Sequence, residues 1–123
     1  MAFNSFEEMP VWQGALKLAE EIFSLTNGLP KKEDYGLTSQ IRRSALSVSG
    51  NIAEGFGRKH TKDKLQFYYA SRGSLTETKS HLIYGRRVGY FTESSCARLN
   101  GLVDNTWKSL NSLIRALSKR TEP

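Results

Sequence analysis

Two stripes share one helix between Tyr35 and Arg58, and this segment constrains the fold more than any other. Leu37, Ile41, Ala45, Val48, Ile52 and Phe56 recur at steps of three or four residues, so they return to one side of a helix. Beside them, at similar spacing, run Arg43, Ser47, Asn51, Glu54 and Arg58. A surface helix ordinarily keeps its charges opposite its apolar face. Here Ser44, Ser49, Gly50 and Ala53 flank the polar stripe, and residues that small let another helix come close. The segment reads as a central helix that begins between Lys32 and Thr38, ends at Phe56-Gly57 and has neighbours on more than one side.

Helical spacing recurs three more times. A first helix is expected from about Met9 to Thr26, with Pro10 in a first turn where its missing N–H would be unpaired anyway. Its inward face reads as Trp12, Ala15, Leu16, Ala19, Ile22, Phe23 and Thr26. Asn27-Gly28 offers a left-handed stop, and Pro30 prevents continuation. Thr61 is the expected N-cap of a third helix reaching about Val88, with Asp63 near the positive end of its dipole. One side of that helix carries Leu65, Tyr68, Tyr69, Leu75, Thr76, Leu82 and Ile83. The other carries Ala70, Ser74, Thr78, His81 and Gly85. Gly89 ends it and Thr92 caps the fourth helix, where Cys96, Leu99, Val103, Thr106, Leu110, Leu113 and Leu117 form a seam. Residues after Lys119 are expected to fray. No strand pattern competes, and short connections force antiparallel neighbours. The expected fold is all-α, one up-down-up-down four-helix bundle over residues 1–123.

No apolar run approaches the ~18 residues of a membrane span. The start, Met1 to Glu8, lacks the order of a secretory signal, and the lone Cys96 has no partner for an internal disulfide. These features predict a cytoplasmic protein with no membrane partner.

Catalytic machinery is not in evidence. Cys96 lies on an apolar seam, where burial makes a thiol inert. Glu77 and His81 stand four apart, whereas bundle metal sites repeat Glu-x-x-His pairs with further inward glutamates. A surface hydrogen bond is expected there, with no metal and no cofactor. Gly55-Phe56-Gly57 falls at a helix end in a strandless chain, so it is no phosphate loop.

The stripe of Arg43, Ser47, Asn51, Glu54 and Arg58 has two readings. It is either a network closed across a helix interface with Ser74 and Glu77, or a recognition surface. The first is preferred, because buried polar groups must find partners. It predicts a buried stripe in the assembled protein and a cost of ~1–3 kcal/mol for removing Asn51 or Glu54.

Eighteen basic against twelve acidic residues give a net charge of +6, which favours an anionic partner. An up-down bundle brings Arg58, Lys59, Lys62 and Lys64 to the same end as Arg115, Lys119 and Arg120, offset in part by Asp63 and Glu122. Lys31, Lys32, Arg86 and Arg87 mark the opposite end. The first cluster is either solubilising charge beside helix C-termini or a phosphate-binding surface. No aromatic residue interleaves it, so sequence-specific recognition of a single strand by stacking is not expected.

Five pieces of the chain, in order, resemble the bacterial four-helix-bundle proteins, also known as 23S rRNA intervening-sequence proteins. They are Val11-Trp12-Gln13, Tyr35 to Ala45, Ser47 to Arg58, Gly73 to Glu77, and Gly89-Tyr90. Asn51-Ile-Ala-Glu-Gly55 joined to the upstream Gln40-Ile-Arg-Arg43 is the most specific part, and Gly50 is a minor departure. The resemblance implies antiparallel bundles assembled in a ring, a homopentamer. Some members are encoded within insertions in large-subunit ribosomal RNA genes. A structurally similar group is the accessory protein of diversity-generating retroelements, a basic pentamer that binds nucleic acid and a reverse transcriptase. The expected function is a non-enzymatic oligomer that binds RNA or DNA through phosphate contacts. The alternative is a protein-interaction or structural assembly whose partner is an enzyme encoded nearby. Helix two and the small face of helix three are the expected subunit contact.

Overall fold

The computed structural model describes residues 3–121, and every helix in it starts or stops for a local reason. The four helices are α1 (Pro10–Thr26), α2 (Leu37–Gly57), α3 (Thr61–Arg87) and α4 (Glu93–Thr121). Single turns of 3-10 helix, Phe6–Glu8 and Lys31–Glu33, precede α1 and α2. Pro10 occupies the first position of α1. Gly89 takes φ +90°, and the Tyr90 and Gly89 amides donate to the carbonyls of Gly85 (2.8 Å) and Arg86 (3.1 Å). That pair of bonds is the Schellman closure of α3, and it needs the left-handed conformation that glycine tolerates. Thr92 opens α4 by accepting the Ser95 amide on its hydroxyl at 3.1 Å.

Two local expectations fail. Thr61 is the first residue of α3 and not its cap; His60 precedes it with no side-chain hydrogen bond to the helix. Neither Asn27 nor Gly28 is left-handed. Instead, the Leu29 amide closes a turn on Thr26, and Asn27 Oδ1 accepts Arg42 at 3.1 Å, which ties the end of α1 to α2. Helix α4 continues past Lys119 to Thr121; Glu122 lies outside the described residues.

Each helix packs against its chain neighbours, and α1 also packs on α4, which closes the bundle. The cross-helix partners show that neighbours run antiparallel. Between α2 and α3, Ser44 meets Thr78, Ser47 meets Ser74 and Val48 meets Ser71, one number rising as the other falls. Between α3 and α4, Arg72 meets Asn111 and Leu82 meets Cys96. Between α1 and α4, Arg98 meets Glu21, and Gly14 lies under Thr106. No strand occurs among the described residues.

The core lies along the bundle axis, with Leu18, Ile22, Ile41, Ala45, Val48, Ile52, Leu75, Leu99 and Leu110 sealed from solvent. Burying one such side chain contributes about 1.5–3 kcal/mol. The α2 stripe is buried from Leu37 to Ile52 as its spacing predicts, and so is the α4 seam apart from half-buried Leu113. α1 is rotated from the expectation. Val11 and Leu18 are buried, while Leu16 and Ala19 are half-buried and Phe23 is 54% exposed. Its apolar arc is wider than two neighbours can cover, so one edge stays open. α3 is rotated too: Ser71, Thr78 and Gly85 face inward, and Tyr69, Thr76 and Ile83 face out. Gly85 has to be small, because a Cβ there would stand 2.2 Å from the Phe91 ring. Among the described residues no helix is long and apolar enough to cross a membrane.

Candidate nucleic-acid interface

The short link from Arg58 to His60 turns the chain from α2 into α3, so both helix ends lie beside the C-terminal end of α4. A cavity of about 320 Å³ at this end is lined by Lys64 of α3 and Arg120 of α4, with Phe56, Tyr68, Leu113 and Leu117 among its walls. The structure therefore brings one residue from each half of the sequence-predicted basic cluster to this cleft, and the cluster's other members stand at the same end outside its lining. The cluster's cations are not equivalent.

Lys64 donates to the carbonyls of Phe56 (2.7 Å) and Gly55 (3.4 Å) in the last turn of α2, where the Gly55 carbonyl also accepts the Arg58 amide at 3.2 Å. Its ammonium lies 5.4 Å from the Phe56 ring centroid, and partial burial pulls its pKa down. Lys64 is a helix cap. Arg58 donates to Glu54 at 3.0 Å and stacks 4.6 Å from the Phe67 ring, with both charged side chains half-exposed. Arg115 donates to Ser112 at 3.3 Å. Lys59, Lys62, Lys119 and Arg120 are exposed and make no hydrogen bond or ion pair among the described residues. Within this cluster, these four are the cations most available to an anion.

The polar stripe of α2 divides. Ser47, Asn51 and Ser74 form one network: Asn51 Nδ2 donates to the Ser47 carbonyl and hydroxyl, each at 2.9 Å, and Ser74 donates to that hydroxyl at 3.0 Å. Arg43, Glu54 and Glu77 stand outside it, exposed on the chain. Arg43 reaches Gln40 at 3.2 Å, Glu54 holds Arg58, and Glu77 lies 3.2 Å from His81. Within the chain, the seven-member network expected from spacing is thus three residues and three separate surface pairs, one of which is Glu54 with Arg58. A helix face turns about 100° per residue, so Arg43 and Glu54 point past the α3 contact that Ser47 and Asn51 reach.

The buried part of the α2–α3 contact escaped the sequence reading. Thr78 Oγ1 lies 2.9 Å from both the Ser44 hydroxyl and the Ser74 carbonyl, and Ser71 donates to the Val48 carbonyl at 2.8 Å. Ser74 and Thr78 of the small face of α3 are thus engaged inside the subunit, while Ala70 of that face is exposed. The hydroxyl spacing of α3, Ser71, Ser74 and Thr78, was the available signal.

The opposite end of the bundle is tied across. Glu33 accepts the Tyr90 hydroxyl at 2.8 Å and the Leu37 amide at 3.1 Å, and both bonds hold its carboxyl below the usual carboxylate range. Between the ends, the outer edge of α1 and α2 carries Leu16, Ala19, Phe23 and Leu46 around a cavity of about 330 Å³, with Leu46 62% exposed. Among the described residues no three His, Cys, Asp or Glu side chains stand together as a metal site would need.

These features define an antiparallel four-helix bundle with a cationic end. The chain belongs to the 23S rRNA-intervening sequence protein family, whose pattern it matches over residues 7–112. It is also similar to a solved structure from Bacteroides thetaiotaomicron, a protein of unknown function from the S23 ribosomal protein family. The two share 22% identity and a TM-score of 0.76, over 85% of this chain and 97% of the other. At that identity the likeness shows the shared fold. No curated protein matches the chain.

Proposed function

We propose that this chain is a non-enzymatic oligomeric module that binds RNA or other nucleic acid through phosphate contacts at its cationic end. The observation that carries the proposal is the convergence of the α2–α3 turn and the α4 terminus, with Lys59, Lys62, Lys119 and Arg120 making no hydrogen bond or ion pair among the described residues. Arg58 and Arg115, only lightly engaged, add to the field. Cations bound to phosphates release counterions, so affinity falls steeply as salt rises. A ring of five such chains, as the family resemblance implies, multiplies the +6 of one chain to about +30 and adds weak contacts through multivalency.

The subunit contact belongs on the α1–α2 edge, where Phe23 and Leu46 leave apolar surface open. On the small face of α3, Ser74 and Thr78 are engaged with α2 and Gly85 with Phe91, which leaves Ala70 as its exposed part.

The test is RNA binding by the whole protein at low and moderate salt, with Lys59, Lys62 and Lys119 reversed to Glu. Lys64 is left intact because it caps α2. Binding to unrelated RNAs should weaken by similar factors while the helical circular dichroism is unchanged. No binding by the wild type at low salt, or binding indifferent to the reversal, overturns the proposal. The open apolar edge would then favour the alternative, a protein-interaction assembly whose partner is an enzyme encoded nearby.

A further inference from the structure

Midway along the α3–α4 groove, Arg72 is placed between two exposed rings. Its guanidinium carbon lies 5.3 Å from the Tyr69 ring centroid and 5.8 Å from that of Trp107. A 2.9 Å hydrogen bond to Asn111 Oδ1 fixes it there. The rings are held by the cation, yet Tyr69 remains 41% exposed and Trp107 40%. Beside Trp107 a cleft of about 250 Å³ opens, with buried Leu75 and Val103 in its lining and exposed Lys79 and Asp104 at its rim.

We infer that this ledge stacks the bases of a single-stranded nucleic acid whose phosphates run onto the cationic end. The inference rests on the phosphate-binding reading above and adds the strand class to it. Three features of the groove support a nucleobase as occupant. An aromatic wall over an apolar floor suits a flat ring. An ammonium and a carboxylate at the rim match the mixed acceptors and donors of a base edge. The cleft itself opens on the side of Trp107 away from the cationic end, and the faces of α3 and α4 that carry the two rings lead back to that end. Lys62 lies two turns from Tyr69 along α3, about 10 Å, and Arg115 one turn beyond Asn111 on α4. Among the described residues the one acidic group lining the cleft, Asp104, stands one turn from Trp107 on the side away from that end.

Stacking on aromatic side chains tolerates any base, so the ledge favours unpaired strands and does not select sequence. A duplex keeps its bases stacked on each other and offers only phosphates to the cationic end. The expectation that a single strand is not recognised sequence-specifically by stacking came from looking for aromatics among the lysines, and a sequence-tolerant ledge is compatible with it. The rings lie two turns away, on helices brought together by the fold.

The test compares binding of an unstructured oligouridine and an RNA duplex of equal length, by anisotropy in one low-salt buffer. The double variant Tyr69→Ala with Trp107→Ala should bind oligouridine about tenfold or more weakly while duplex binding is unchanged. Tyr69→Phe with Trp107→Phe should restore the single-strand affinity, because the rings and not their polar atoms do the stacking. The inference is overturned if the alanine variant binds oligouridine like wild type, or loses both ligands equally. It is also overturned if light scattering shows that the variant changes oligomeric state, since the ledge is then covered by a second copy. Where the lysine reversal abolishes binding but the ring variant does not, the cationic end stands and the ledge falls. Wild type that binds neither RNA overturns both.

Discussion

α3 meets its two neighbours in different ways. Toward α2 it presents Ser71, Ser74 and Thr78, and their hydroxyls reach α2 groups at 2.8–3.0 Å. Toward α4 it presents Leu75, Leu82 and the rings and chains around them, and two clefts of about 250 and 280 Å³ remain. Small residues let helices approach until side chains bond across the seam, whereas bulky ones hold the axes apart and leave grooves. One face of the helix thus fixes the partner and register, and the other offers surface. A structural seam and a candidate binding groove share α3, one or two residues apart.

Glycine substitutions should break this comparison most sharply. A Cβ on Gly55 would stand 2.7 Å from the buried Tyr68 ring and 3.1 Å from Phe67 Cβ, whereas one on Gly73 would meet nothing within 4 Å. Overpacking costs about 1–3 kcal/mol, and replacing a helical glycine returns up to about 1 kcal/mol. Gly55→Ala should therefore lose about 1–2 kcal/mol, and Gly73→Ala should gain about 0.5–1 kcal/mol. Urea unfolding of both variants decides it; equal effects would mean that the α2–α3 seam is no tighter than an open helix face.

The polar stripe of α2 shows where sequence reading reaches and where it stops. Its spacing made Asn51 and Glu54 equivalent members of one network. In the structure Asn51 holds both Ser47 bonds at 2.9 Å, while Glu54 makes an exposed i,i+4 pair with Arg58. Asn51→Ala should cost about 1 kcal/mol, and Glu54→Ala only about 0.3–0.5 kcal/mol, the latter vanishing in high salt. Comparable losses in both variants would restore the single network.

Four helices and their order were legible because apolar spacing and turn residues are local. Gly89 and Thr92 act where their chemistry says, and the α4 seam needs no knowledge of its neighbours. Which part of a wide apolar arc faces inward is set by the other helices. Leu18 is therefore buried and Phe23 is not, although both lie on the apolar side of α1. Lys64 read as one more surface cation, since its acceptors are carbonyls eight and nine residues away that only the α2–α3 turn brings within reach. Tyr69 and Trp107 are far apart in the chain, and no spacing rule pairs them. The basic cluster could be placed at one end of the bundle from connectivity alone; which of its members are free required side-chain partners.

The smallest expected effect separates the seam from the tie at the far end, because only the tie titrates. The α2–α3 hydroxyls carry no charge at any ordinary pH, so their contribution should be flat. Glu33 is held below the usual carboxylate range, first by the Tyr90 hydroxyl and then by the Leu37 amide, while Tyr90 is raised by the same bond. A depressed carboxyl stabilises the fold above its unfolded value, near about pH 4.3. It loses that contribution as pH falls through the folded value. A raised phenol stabilises below its unfolded value, near about pH 10, and loses that contribution as pH rises further. Tyr90→Phe should thus be less stable than wild type at neutral pH, and the gap should shrink on both the acid and the alkaline limb. Tyr68 and Cys96, raised by burial, and Glu21, lowered chiefly by Arg98, titrate in both proteins and cancel in the difference. Stability curves of the two proteins measured across pH check the shape. A gap that stays constant into acid would mean that Tyr90 contributes by packing alone and that the tie is no more electrostatic than the seam.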